Sequence, residues 1–145
     1  MDIEQVSEVT EELYKAIQSL VPQLGAHKVA PSWEELTKLV SSESSALLIA
    51  RETHQSGRIV GMLCLTVYRV PTGLRSVIED VVVDEAARGK GIGAALIREA
   101  IERARAAGAE GISLTSNSQR EAANRLYHSM GFQLRQTNPY FYRLK

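Results

Sequence analysis

The sequence predicts an α/β fold, and three observations lead there. A β-branched run, Val81-Val82-Val83, ends in a short polar turn; Gly89, Gly91 and Gly93 follow at alternate positions, and an amphipathic segment begins at Ile92. A long apolar run over 58–70 carries apolar residues on both faces of an extended chain, as the middle strand of a sheet does. Further amphipathic segments open on helix-start signals, with Ser32 and Glu35, then Ser118 and Glu121, in capping-box spacing.

The elements follow in order. Residues 2–7 read as a short edge strand. From Thr10 the pattern is helical, with Leu13, Ile17, Leu20 and Val21 on one side, and Pro22 ends it. A loop over 25–31 leads to a second helix, 33–40, whose apolar side is Trp33, Leu36, Leu39 and Val40. A strand over 46–51, a polar hairpin connection over 52–57 and the central strand 58–70 come next. The turn Pro71-Thr72-Gly73 returns the chain into a strand over 75–83. The helix from Ile92 buries Leu96, Ile97, Ala100, Ile101 and Ala104, pairs Glu99 with Arg103 on its wet face, and stops at Gly108. A strand over 112–115 precedes a helix carrying Ala122, Ala123, Leu126, Tyr127 and Met130, which Gly131 ends. Two last strands are expected over 132–134 and 140–144.

A length of 145 residues suits a single domain, 1–145, able to bury a core. Lys plus Arg total 17 and Asp plus Glu total 17, a balance that argues against nucleic acid as the main ligand. No run is long enough to span a membrane, Met1-Asp2-Ile3-Glu4 is no signal peptide, and the single Cys64 cannot form an internal disulfide. The expectation is a cytoplasmic protein with no membrane partner. Cys64 in a central strand reads as a small core residue. His27, His54 and His128 are scattered without metal-ligand spacing, so no metal is expected.

The strand–glycine turn–helix unit suits a phosphate. The first N–H groups of a helix have no partner within it, and the helix dipole makes that end positive. Glycines let backbone approach a ligand closely, and Arg88 and Lys90 add cationic charge. A turn alone would not need three glycines and two cations. The Walker pattern fails because Gly91, not a hydroxyl residue, follows Lys90. The Rossmann pattern fails because the glycines alternate strictly.

What fits is Arg-x-x-Gly-x-Gly at Arg88, Gly91 and Gly93. It resembles the acyl-CoA loop of the GCN5-related N-acetyltransferase (GNAT) superfamily. A second block, Asn124-Arg125-Leu126-Tyr127 with Gly131-Phe132, is similar to another conserved block of that family, and the order of elements matches along the chain. The resemblance implies a central mixed, mostly antiparallel sheet flanked by about four helices. It implies acetyl-CoA as cosubstrate, held by Val81, Val82, Val83, Arg88, Gly89, Lys90, Gly91, Ile92, Gly93, Ala94, Asn117, Asn124 and Tyr127. The loop would hold the pyrophosphate and Asn124 the pantetheine arm, with the Tyr127 hydroxyl by the sulfur. It also implies that the first two helices border the acceptor pocket. Ile78-Glu79-Asp80-Val81-Val82-Val83 resembles the acidic centre strand of small-amine acetyltransferases, including those acting on glucosamine 6-phosphate; no sugar-phosphate signature supports that substrate here.

Transfer to an amine needs a base, an oxyanion donor and a donor to the departing thiolate. Glu79 is the expected base, acting through water or with a raised pKa, with Asp80 the neighbouring candidate. Strand alternation would place Glu79, Val81 and Val83 on one face and Ile78, Asp80 and Val82 on the other, unless a bulge intervenes. The N–H near Val81 suits the oxyanion, and Tyr127 suits the thiolate. The expected function is an acetyl-CoA-dependent N-acetyltransferase for the primary amine of a small molecule. The alternatives are a peptide or protein amine as acceptor, or a non-catalytic acyl-CoA-binding module. The aromatic stretch Tyr140-Phe141-Tyr142 with Leu144 suits a homodimer contact or packing within the monomer's own sheet.

Overall fold

A computed structural model of the chain describes residues 1–52 and 57–145. Most of the expected hairpin connection at 52–57, His54 included, lies outside the described residues. The chain forms two compact units, Met1–Thr115 and Ser116–Lys145.

In the first unit, five strands lie side by side in sequence order: β1 (Asp2–Gln5), β2 (Ser45–Arg51), β3 (Ile59–Val70), β4 (Gly73–Val83) and β5 (Ile112–Ser113). β1 to β4 pair antiparallel and β5 joins β4 in parallel, giving a mixed, mostly antiparallel sheet. Three helices belong to this unit: α1 (Glu11–Leu20), α2 (Trp33–Ser41) and α3 (Ile92–Ala107).

Local chemistry sets the helix ends. The Thr10 hydroxyl accepts the Leu13 N–H at 3.1 Å and caps α1, whose first turn also carries Glu11 and Glu12 against the positive end of the dipole. Pro22 does not stop the chain outright. It sits at the start of a 3-10 turn, Val21–Leu24, where a missing N–H costs little. α2 opens on the expected capping box: the Glu35 N–H donates to Ser32 Oγ at 3.1 Å, and the Ser32 N–H donates to Glu35 Oε1 at 2.9 Å. α3 ends on Gly108 in the left-handed region, and its Arg103 donates to Glu99 at 3.0 Å.

The core has a layer on each side of the sheet. Leu13, Ile17 and Leu20 of α1 and Leu36 of α2 pack with Leu47, Ile49, Ile59, Met62 and Val82. Strand pairing puts Leu48, Leu63, Leu65 and Ile78 on the opposite face, which α3 covers with Ile92, Leu96, Ile97, Ala100 and Ala104. Each buried Leu, Ile, Val or Met among them is worth about 1.5–3 kcal/mol of burial. Trp33 departs from the expected apolar side of α2. It stays 46% exposed, its ring lying 5.5 Å from that of Tyr14.

The second unit holds α4 (Glu121–Ser129). Its expected capping box does not form. Arg120 is the N-cap and gives no side-chain bond. The Asn117 carbonyl accepts the Arg120 N–H and Asn124 Nδ2, each at 3.0 Å, which ties α4 to the residues before it. The two last strands do not form either. Residues 132–145 have no regular structure, and Leu134, Tyr140, Phe141, Tyr142 and Leu144 are exposed. Alternating apolar residues favour an extended chain, but a strand exists only where a neighbour takes its backbone hydrogen bonds, and pairing energy, not propensity, decides.

Candidate acyl-CoA and acceptor site

The acid pair sits where β4 departs from regular pairing. Ile78 pairs with Leu65 and Glu79 with Cys64, whereas Val82 pairs with Met62, so Asp80 and Val81 together face Leu63. This is a one-residue β-bulge. Asp80 takes φ 53°, the one non-glycine residue with positive φ among those described. Aspartate tolerates the left-handed region better than the β-branched residues beside it. The bulge overturns simple alternation: Glu79 and Val82 now share the face of Cys64 and Met62, while Ile78 and Val83 share the other. Glu79 and Asp80 are both exposed. Burial, then the charges of Asp80 and Glu79, push the Cys64 thiol up, so it stays protonated at neutral pH and is no nucleophile.

Beyond β4 the chain makes a 3-10 turn, Glu85–Ala87, and then the glycine loop. Gly89 and Gly91 adopt φ 81° and φ 79°, the left-handed region where a Cβ is disfavoured. Gly91 is the N-cap of α3 and has no side chain to offer, so the first-turn N–H groups of Ile92, Gly93 and Ala94 receive no capping oxygen from it. The first turn of α3 also lacks an acid, whereas α1, α2 and α4 each carry at least one there. The positive end of α3 is thus left uncompensated by its own sequence. Arg88, Gly89, Lys90 and Gly91 are all exposed, and Arg88 Nε donates to the Val83 carbonyl at 3.1 Å, which anchors the guanidinium at the end of β4. This donor set fits a polyphosphate: free N–H groups at a helix start, backbone open to close approach and two cations.

In the second unit, Asn117 and Asn124 come together, and Tyr127 lies one turn further along α4. Asn124 is tied to the Asn117 carbonyl, and the Asn117 carboxamide accepts the Gln119 N–H at 2.9 Å. The Tyr127 ring is buried, edge-on to Phe132 at 5.9 Å. Burial raises its phenol above the ordinary range against a smaller opposing pull from Arg120, so the hydroxyl remains a proton donor at neutral pH.

The model of the acetyltransferase (GNAT) family matches residues 10–132. The chain belongs to the GNAT acetyltransferase family. Solved structures share its fold. A transcriptional regulator from Bacillus halodurans C-125 is 26% identical with a TM-score of 0.80, over 98% of this chain and all of that one. An acetyltransferase from Trypanosoma brucei is 26% identical with a TM-score of 0.75, over 98% of this chain and 100% of that one. An aminoglycoside acetyltransferase from an uncultured soil metagenomic sample, solved with sisomicin, is 24% identical with a TM-score of 0.82, over 99% and 96%. No curated protein matches the chain.

In GNAT terms, Glu79, Asp80, Val81, Val82 and Val83 and the loop from Arg88 to Ala94 are consecutive parts of the first unit. Asn117, Asn124 and Tyr127 are parts of the second. No group of His, Cys, Asp and Glu among the described residues could hold a metal ion. No helix among them is long and apolar enough to cross a membrane. Gly61 had no role assigned from the sequence. A Cβ on Gly61 of β3 would stand 3.2 Å from Leu96 Cδ1, 3.2 Å from the Val82 carbonyl and 3.4 Å from Ile92 Cγ2. Gly61 is the seat that lets the first turns of α3 lie close on the sheet. A glycine inside a long apolar strand was the signal for it.

Proposed function

We propose that this GNAT protein is an acetyl-CoA-dependent N-acetyltransferase for the primary amine of a small molecule. The observation that carries it is the start of α3: a left-handed glycine cap, no acid in the first turn, and Arg88 and Lys90 exposed beside it. Acetyl-CoA supplies an activated thioester. Ile92, Gly93 and Ala94 donate backbone N–H groups to its pyrophosphate, Arg88 and Lys90 add charge, and Asn124 holds the pantetheine arm. The acceptor arrives as an ammonium, drawn by the exposed carboxylates of Glu79 and Asp80. Glu79 takes its proton through a water, which frees the nitrogen lone pair to bond the acetyl carbon as the carbon–sulfur bond breaks. The Val81 N–H, at the bulge where Asp80 and Val81 together face Leu63, donates to the acetyl oxygen. The nitrogen loses its second proton to solvent as the amide forms, and Tyr127 donates to the sulfur and recovers its proton from solvent. Two protons leave the nitrogen and one is taken up, so the products are the acetamide, the free thiol and one released proton.

Aminoglycoside acetyltransferases among the structures of like fold make polyamines a natural first class of acceptor to try. The same proposal has the exposed 140–144 segment pairing with a second copy of the chain, which sedimentation at micromolar concentration tests; monomer alone would refute that part. The function itself is tested by incubating the protein with acetyl-CoA and a panel of aminoglycosides, polyamines, amino sugars and short peptides, reading free thiol. Release dependent on a small amine supports it. Calorimetry showing tight ATP binding and none for CoA would refute it.

A further inference from the structure

The 3-10 turn Val21–Leu24, which follows α1, lies against β4. One side chain from it reaches the start of the glycine loop. Gln23 Nε2 donates to Asp84 Oδ1 at 3.0 Å, and Gln23 Oε1 accepts the Glu85 N–H at 2.9 Å. A single carboxamide thus grips two consecutive residues, with both its donor and its acceptor in use. Nε2 also donates to the Ser19 carbonyl at 3.2 Å, which fixes the side chain on the last turn of α1.

Asp84 is the hub of this arrangement. Its second oxygen accepts Arg58 Nη1 at 2.9 Å, its N–H donates to the Val60 carbonyl at 2.7 Å, and its carbonyl accepts the Ala87 N–H at 2.8 Å. The side chain is only 18% exposed. The bond from Gln23, then that from Arg58, holds its carboxyl below the usual carboxylate range, so it is an ionised acceptor at neutral pH. Arg88 lies one short turn downstream. Its N–H points to the Glu85 carbonyl at 3.4 Å, and its guanidinium returns to the Val83 carbonyl, so the Asp84–Glu85 pair is bracketed by contacts from the residue that opens the loop.

We infer that Gln23 is a positioning residue for acyl-CoA binding: it clamps Asp84 and Glu85 and thereby sets the backbone that presents Arg88 to Gly91. The clamp ties the end of α1 to the cofactor loop, across 61 and 62 residues of chain. It touches neither the phosphate nor the reacting atoms. The inference rests on the acetyl-CoA reading above.

The test begins with calorimetry of the unmodified protein against CoA, since absence of binding there removes the acetyl-CoA reading and this inference with it. Given binding, Gln23→Ala should raise both the CoA dissociation constant and the acetyl-CoA KM about tenfold, as expected for two lost bonds of which one is to a charged group, with kcat within about twofold. Gln18→Ala is the matched control. Gln18 Nε2 donates to the Pro31 carbonyl at 2.9 Å, a tie that does not touch the loop, so its loss should leave acetyl-CoA KM unchanged. Gln23→Glu adds a signature that mere structural damage would not give. The new carboxyl faces Asp84 and the Glu85 backbone, with Arg58, its partner Glu52, and the side chains of Glu85 and Arg88 the other charges around that node. At pH 8 it is ionised, repels Asp84 and should raise KM at least as much as Gln23→Ala. Near pH 4, below the ordinary glutamate value of about 4.3, a large share of it is protonated while Asp84, held low, stays mostly ionised. It regains a donor and an acceptor, and its CoA affinity relative to the unmodified protein at the same pH should recover. Unchanged KM and dissociation constant in Gln23→Ala, an equal rise in Gln18→Ala, or a pH-independent ratio in Gln23→Glu would each overturn the inference.

Discussion

Two glycines at opposite ends of α3 provide a matched test of whether the loop binds a ligand or only turns the chain. Gly91, at the N-cap, has φ 79°, and Gly108, at the C-cap, has φ 87°; an added Cβ would meet nothing within 4 Å at either. Replacement by alanine therefore carries no steric term in the free protein, only backbone strain. An L-residue in the left-handed region costs about 1–2 kcal/mol, and the stiffer unfolded chain returns about 0.4–1 kcal/mol, leaving a net loss of about 1 kcal/mol at each site. The unfolding entropy of a chain this long is about 0.3 kcal/mol/K, so each variant should melt about 3 °C lower. Their affinities for CoA should then part. Gly108→Ala should bind as the unmodified protein does. Gly91→Ala places a methyl beside the N–H groups offered to the pyrophosphate and should bind at least tenfold more weakly. Gly91→Asp goes further, since a carboxylate about 4 Å from a phosphate charge costs about 4 kcal/mol at an effective dielectric of 20. Calorimetry with CoA and a melting curve on each variant suffice. If Gly91→Ala loses the 3 °C and keeps full affinity, the glycine serves the turn alone and the anion site is wrongly placed.

Tyr127→Phe should slow turnover by roughly 10²–10⁴ with little change in CoA affinity, because a buried, protonated phenol donates to sulfur only as charge develops there; undiminished turnover with chemistry shown to be rate-limiting would reassign the proton. Gly61→Val should cost about 1–3 kcal/mol by overpacking the seat of α3, and an unchanged melting temperature would show that the helix start is not set there. Arg51 is 14% exposed and bonds Glu4 at 2.7 Å and both oxygens of Glu12 at 2.9 Å. Arg51→Met should cost about 1–2 kcal/mol at pH 7, the half-exposed carboxylates discounting each bond. The bond from Arg51 lowers the Glu12 carboxyl from 4.5, so this contribution is present above that pH and is lost as pH falls through the folded-state value. The gap in melting temperature between the two proteins should accordingly shrink below pH 4.5, and a gap that widens in acid would refute the assignment.

Most of the first unit was legible because its signals are local. The helical pattern from Thr10, the capping box at Ser32, the helical period from Ile92 to Ala104 and the stop at Gly108 each depend on a few neighbouring residues. The geometry of the glycine loop was legible for the same reason: glycine in the left-handed region and exposed cations beside a helix start are properties of one short stretch. What escaped depends on residues far apart in the chain. Ser118 and Glu121 have the spacing of a capping box, yet Arg120 became the N-cap and offers no side-chain cap. The aromatic run at 140–144 has strand propensity without a partner strand to express it. Gln23 carried no signal at all, because its partners Asp84 and Glu85 lie on the far side of three strands in sequence.

The acid pair shows most clearly why pairing information matters to chemistry. Alternation from Ile78 onward would have put Asp80 beside Ile78 in the α3 layer of the core, where an ionised carboxylate would be taken out of water among apolar side chains. It would also have put Val82 on that face, away from Met62 and the α1 layer it completes. One inserted residue resolves both conflicts. With Asp80 at φ 53° the carboxylates stay in solvent, Ile78 remains in one core layer, and Val82 enters the other. The insertion cannot be read from Val-rich propensity, since it exists only relative to Leu63 on the facing strand. Its further consequence lies in the backbone. Asp80 and Val81 together oppose Leu63, so the ladder is interrupted where the proposal places the acetyl oxygen. The irregularity that preserves the core is thus the same one that gives β4 its proposed chemistry.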